Sequence, residues 1–181
     1  ILKQTGAEVV AVEIDLPRPP TGVPPRAGGF VLEGRADMLV RAGGALTVVD
    51  FKRSGNNHFR EALETGSAYQ LAAYAHLAGA AGIAYYVFAS RSLLSSVDAT
   101  LQHGAVHGSV DTSAMFRAFD RALAQRREEL RAGLVRATGV TVDDGPSPPK
   151  KAAIVDDRLV LAPPCGFCKF TRLCGVEVSH G

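Results

Sequence analysis

Gly34-Arg35-Ala36-Asp37-Met38-Leu39-Val40-Arg41-Ala42-Gly43-Gly44-Ala45-Leu46-Thr47-Val48-Val49-Asp50-Phe51-Lys52 reads as two strands joined by a two-residue turn. A glycine pair suits such a turn, because tight hairpin loops need positive φ. With Gly43 and Gly44 in the loop, Ala42 faces Ala45. The pairing then runs through Arg41–Leu46 and Leu39–Val48 to Asp37–Asp50 and Arg35–Lys52. Directly opposed residues carry β-carbons roughly 5 Å apart. Two carboxylates held so close repel, and a hard divalent cation, Mg²⁺ or Mn²⁺, is the natural compensation. Lys52 shares the face of Asp50, whereas Phe51 is expected to point into the core and leave its backbone carbonyl free to ligate. Two carboxylates, a divalent ion and a lysine suit phosphodiester hydrolysis: the ion activates water, and the lysine orients it and steadies phosphoryl charge. The competing reading is a solvent-facing hairpin whose charges pair across strands.

Outward from the hairpin, the periodicity predicts a mixed α/β domain in the order β-β-β-α-β-α. Residues 8–16 alternate, with Val10, Val12, Ile14 and Leu16 on one face and Glu13 and Asp15 on the other. Residues 30–41 read as one strand, with Phe30, Leu32, Ala36, Met38 and Val40 on its apolar side, and 45–53 as the next. A helix is expected over 67–79, a buried strand over 82–90 and a long helix over 112–137. From 140 onward the chain reads as loops and short strands. The expected organisation is a core of 1–139 and a tail of 140–181 within one domain.

Composition narrows the class. The 181 residues hold 46% hydrophobic and 21% charged side chains, which excludes wholesale disorder. A net charge of +2 excludes a histone-like polycation, yet 15 of the 20 basic residues are arginine, which permits a local basic surface. No apolar run approaches a membrane span, so no membrane partner is expected. Three cysteines confined to 165–174 are too few and too clustered for a disulfide framework, pointing to a reducing, cytoplasmic setting and a metal or cluster role. The first residue is Ile1 rather than Met, as expected of a piece of a longer polypeptide.

Gly34-Arg35-Ala36-Asp37, twelve residues, Asp50-Phe51-Lys52 and then Tyr69-Gln70-Leu71-Ala72-Ala73-Tyr74 together resemble the PD-(D/E)xK nuclease superfamily, and within it the RecB/AddB-like exonuclease domains. The resemblance implies a restriction-endonuclease-like fold, a mixed central sheet flanked by helices with a cysteine-bearing C-terminal tail. It also implies that Asp37 and Asp50 are metal ligands, Lys52 the catalytic lysine and Gln70 a further catalytic-site residue. Tyr74, one helical turn from Gln70, and Arg35 would contact substrate. Glu13 is similar to an acidic residue that these enzymes place before a proline loop and would complete the metal shell, with Asp15 the weaker candidate; a plain solvated glutamate is the alternative. Such domains also carry a histidine on an earlier helix. The five histidines here, from His58 to His180, all come after Lys52 and are too late to supply it.

Cys165-x2-Cys168-x5-Cys174 can wrap one metal centre, since a C-x2-C loop presents both sulfurs to one ion. The resemblance implies a [4Fe–4S] cluster whose fourth cysteine lies upstream of this chain, leaving it incomplete or lost here. Zn²⁺ with His180, or free structural thiols, remain open. Along 113–136, Phe116, Phe119, Leu123, Leu130 and Leu134 read as an apolar stripe. Arg117, Arg121, Arg126, Arg127 and Arg131 read either as a solvated face partnered by Glu128 and Glu129 or as contacts to a phosphate backbone. Lys169 and Arg172 invite the same two readings.

The resemblance thus implies a Mg²⁺-dependent DNA nuclease, with DNA and a helicase region or subunit as partners, acting in DNA repair. A non-catalytic DNA-binding or scaffold module that keeps the nuclease fold is the alternative, and a metal-sensing module is a third reading.

Overall fold

The computed structural model describes residues 6–17, 25–96, 101, 110–134, 153–155 and 158–160. These hold strands β1 (Glu8–Leu16), β2 (Arg26–Ala27), β3 (Phe30–Val31), β4 (Gly34–Ala42) and β5 (Ala45–Lys52), then helices α1 (Asn56–Glu64) and α2 (Tyr69–Ala78). β6 (Gly82–Val87), β7 (Ser92–Ser95), α3 (Thr112–Arg131), β8 (Ala153–Val155) and β9 (Arg158–Val160) follow.

Gly43 and Gly44 adopt φ +56° and +85°, and the β4–β5 rungs run in the predicted register from Ala42–Ala45 to Met38–Val49. β1 pairs antiparallel with β4 on the outer side. β5 pairs parallel with β6, and α1 and α2 form the crossover that parallel neighbours require. β7 closes the order β1-β4-β5-β6-β7 as an antiparallel edge. Thr47, Val48, Val49 and Asp50 are all buried, as befits a strand paired on both sides and covered on both faces.

Two cores lie on the two faces of this sheet. The larger gathers Leu16, Ala36, Leu39, Val48, Ile83 and Tyr85 against Leu63 of α1, Leu71, Ala72 and Ala75 of α2 and Met115 of α3. The smaller holds Val40, Val49, Ala84, Leu93 and Leu101. α2 is buried through Leu71, Ala72, Ala73, Ala75 and Leu77, and ends where Gly79 turns left-handed at φ +64°.

Several expectations are corrected. The strand over 30–41 is two elements, because Phe30–Val31 folds back on Arg26–Ala27 around Gly28 and Gly29. The strand over 82–90 stops at Val87 and turns through residues 88–91 into β7. α1 escaped the periodicity because its nine residues bury only Leu63 fully and its first turn has no side-chain cap. In α3 the fully buried residues are Thr112, Met115, Ala122 and Glu129, whereas Leu130 and Leu134 are exposed. Residues 135–137 of the expected long helix lie outside the described residues. Of the two readings of the α3 arginines, the pairs Arg126–Glu129 and Arg131–Glu128 match the one with glutamate partners, while Arg127 reaches across to donate to the Gly28 carbonyl. Val12 is 62% exposed instead of sharing the core face of Val10, Ile14 and Leu16. Glu13 beside it takes φ +46°, a left-handed kink that breaks the alternation of β1.

Candidate active site

The β4–β5 ladder ends at Met38–Val49, one rung before the aspartates. Past that rung the alternation of β4 reverses: Met38 and Val40 pack on the smaller core, while Leu39 and Ala36 both pack on the larger. The reversal falls at Asp37. Its Oδ2 accepts a 2.7 Å hydrogen bond from the Phe51 N–H, so a side chain takes the place of a backbone acceptor at this rung. The Leu46 and Lys52 carbonyls accept from the β6 side, at Ala81 and Phe88. Alternation therefore turns the Phe51 N–H and carbonyl toward β4, where the ladder has already ended.

Asp50 stands at the C-terminal end of β5, level with Tyr85 on β6, and is only 7% exposed. Its Oδ2 lies 2.6 Å from Lys52 Nζ, a close and largely buried ion pair. Burial raises the Asp50 pKa above the ordinary carboxylate value and the nearby Asp37 charge adds to that, while Lys52 opposes both. Desolvation wins because one ammonium, itself partly hydrated, does not restore the solvation lost by a buried carboxylate. Such a carboxylate is incomplete without more positive charge. The Lys52 ammonium also sits 5.5 Å from the Phe59 ring centroid and 6.0 Å from that of Tyr85. Burial and the Asp50 charge push the Tyr85 phenol well above its usual pKa, so its hydroxyl stays protonated.

These observations fit a divalent cation. A buried carboxylate that one ammonium does not fully compensate, a second carboxylate within electrostatic reach and a carbonyl at a terminated ladder form an all-oxygen donor set. Among the described residues no three His, Cys, Asp or Glu side chains converge on one point. The Asp37–Asp50 pair would need the Phe51 carbonyl, water or substrate oxygens to fill its shell.

The structure brings Asp37, Asp50, Phe51 and Lys52 together and sets the other candidates apart. Glu13 forms an exposed 2.8 Å ion pair with Arg35, so the weak metal ligand and the substrate arginine hold one another. Gln70 donates to the Tyr74 hydroxyl at 3.0 Å, and the Tyr74 ring lies on Gly34, where an added β-carbon would come within 2.4 Å of Cε1. Phe51 does not enter the core as expected. It is 39% exposed and packs its ring on Tyr86 and Phe88, the only rings among the described residues that meet it on that face. Cys165, Cys168, Cys174 and His180 lie outside the described residues. Phe59 and Tyr85 were not legible as site residues: one sits on the unpredicted α1, and the other faces Asp50 through a parallel register that no local pattern announces.

The model of the PD-(D/E)XK nuclease superfamily matches residues 2–175. The chain belongs to this superfamily. Its mixed five-stranded sheet with flanking helices is accordingly the restriction-endonuclease-like fold, and nuclease chemistry is the activity the superfamily carries. No curated protein matches the chain. It is similar to the solved structure described as "Crystal structure of SSO0001" at 20% identity, covering 71% of this chain with a TM-score of 0.33. The match covers 53% of that protein, so the chain spans about half of its length. Among the described residues no helix is long and apolar enough to cross a membrane.

Proposed function

We propose that this chain is a Mg²⁺- or Mn²⁺-dependent DNA nuclease domain of the RecB/AddB-like exonuclease kind, working with a helicase region or subunit in DNA repair and recombination. The observation that carries the reading is the buried Asp50 carboxylate, ion-paired to Lys52 at 2.6 Å and near Asp37, whose pKa burial still holds above the ordinary value. Asp37, Asp50 and the Phe51 carbonyl would hold the divalent ion. Bound there, it would lower the pKa of a ligated water and offset the charge of the scissile phosphate.

The remaining work falls to the chain's own groups. The Phe51 N–H fixes the Asp37 carboxylate so that one oxygen is committed and the other is left for the ion. Lys52, now paired with Asp50, would be the group that donates to the attacking water or to a phosphoryl oxygen. Tyr74, seated on Gly34, and Gln70 offer their polar edges beside the start of β4 for placing the DNA backbone. The tail cysteines Cys165, Cys168 and Cys174 belong in this reading to a [4Fe–4S] cluster with a fourth ligand from elsewhere in the parent protein.

The test is digestion of end-labelled linear single- and double-stranded DNA with Mg²⁺ or Mn²⁺, using the parent chain, Lys52→Ala and an EDTA control. Cleavage that needs the metal and disappears in the variant is expected. DNA binding without metal-dependent cleavage, in this chain and in a longer parent protein alike, would replace this reading with the scaffold module.

A further inference from the structure

We infer that Phe59 and Tyr85 form an aromatic wall that holds the Lys52 ammonium in place when Asp50 turns to the metal, making both of them positioning residues for the reaction. The inference rests on the nuclease reading of Lys52. Its observations are the two ring-to-ammonium distances, 5.5 and 6.0 Å, and the packing of the rings on each other at 4.7 Å and 38°. The two rings act as one surface. Lys52 is therefore bounded by a carboxylate on one side and by π-systems on another, with its side chain 28% exposed.

The local sequence builds this wall deliberately. Gly55 takes φ +99° at the entry to α1, and a β-carbon there would meet Phe59 Cε2 at 3.1 Å. The chain thus turns sharply after β5 and brings the first turn of α1 back over the lysine it has just left. Tyr85 is placed by the parallel β5–β6 register opposite Asp50.

A carboxylate holds an ammonium strongly but would be claimed by the ion, and the Asp50–Lys52 pair then weakens. An aromatic face cannot ligate a hard cation, has no proton to exchange, and attracts the ammonium through its quadrupole. It gives Lys52 a resting position that survives the loss of its counter-ion. Arginine would not serve as well in this space, since its wide planar fork presents donors in fixed directions rather than one rotatable head.

The decisive experiment replaces Phe59 by leucine, by tryptophan and by phenylalanines bearing increasing numbers of fluorines, in the metal-loaded chain cleaving DNA. Leucine should lower kcat by roughly 3- to 30-fold, the range of one cation–π contact, with KM and Tm little changed. Tryptophan should restore it, and fluorination should reduce kcat stepwise while keeping the ring's shape. Equal rates for leucine, tryptophan and the fluorinated rings would overturn the inference. A second readout does not depend on activity. In the metal-free protein the Lys52 ε-methylene protons should be shifted upfield by ring currents, and the shift should shrink in Phe59→Leu. Unshifted protons in the unaltered chain would sink the wall even if cleavage is robust. Shifted protons without cleavage would keep the wall and remove the nuclease reading.

Discussion

The two ends of the β4–β5 hairpin obey different rules. At the closed end the backbone satisfies itself: Gly43 and Gly44 take the left-handed conformations a tight turn needs, and each rung follows from simple counting. At the open end counting fails. The ladder stops, the side-chain alternation reverses at Asp37, a carboxylate takes the Phe51 N–H, and another carboxylate is buried against a single ammonium. The comparison teaches that one element can be ideal where it only folds and irregular where it is prepared for a ligand. The irregularity is maintained by the regular rungs beside it.

The largest expected effect comes from breaking the open end electrically while leaving its geometry intact. Asp37→Asn keeps an oxygen to accept from Phe51 but removes a charge from the metal shell. Cleavage should fall by about 10²–10³-fold with Tm unchanged, and kcat measured beside a melting curve decides it. Asp37→Ala removes the acceptor as well. Urea unfolding should place it about 1 kcal/mol below Asp37→Asn, and equal stabilities would show that the Phe51 N–H finds another partner. At the closed end the effect should be confined to stability. Gly44→Ala has open space around its new methyl group but must hold φ near +85°, which costs about 1–2 kcal/mol with no change in cleavage rate.

The smallest effect sharpens the comparison through pH. Because the folded pKa of Asp50 is raised, the folded metal-free protein binds its proton more tightly than the unfolded chain does. Its contribution to stability is full below the unfolded value near 4 and is lost as pH rises through the raised value. Asp50→Asn should therefore melt about 2 °C above the unaltered protein at neutral pH, with the gap closing in acid. A gap that widens in acid would mean that Lys52, not burial, dominates at Asp50.

Much of this was legible in the sequence. Alternation gave the hairpin, its register and the apolar strand through Val48 and Val49, and spacing brought Asp37, Asp50 and Lys52 together. What stayed hidden was non-local or irregular. The reversal at Asp37 falls between the rungs Val12–Met38 and Ile14–Ala36, where Glu13 on the neighbouring strand is left-handed, a conformation no glutamate announces. α1 shows its period only through Phe59, Ala62 and Leu63 in nine residues, too short a run to stand out, and nothing local to it places Phe59 over Lys52. Alternation points Phe51 to the core because strand residues facing away from a site usually are buried. Its face carries Tyr86 and Phe88 instead of a deep apolar layer. The separation of β3 from β4 was masked by apolar Phe30 and Leu32, which mimic a continuing strand across a bend.

One contact reaches further than its size suggests. The Tyr74 ring occupies the volume that any side chain at position 34 would need. Residues 34 and 74 thus share a single allotment of space across forty positions of sequence, and neither identity is meaningful alone. A glycine at the mouth of β4 is the condition for an aromatic ring on α2, and the pair works as a gauge block setting how closely that helix lies to the strand bearing Asp37.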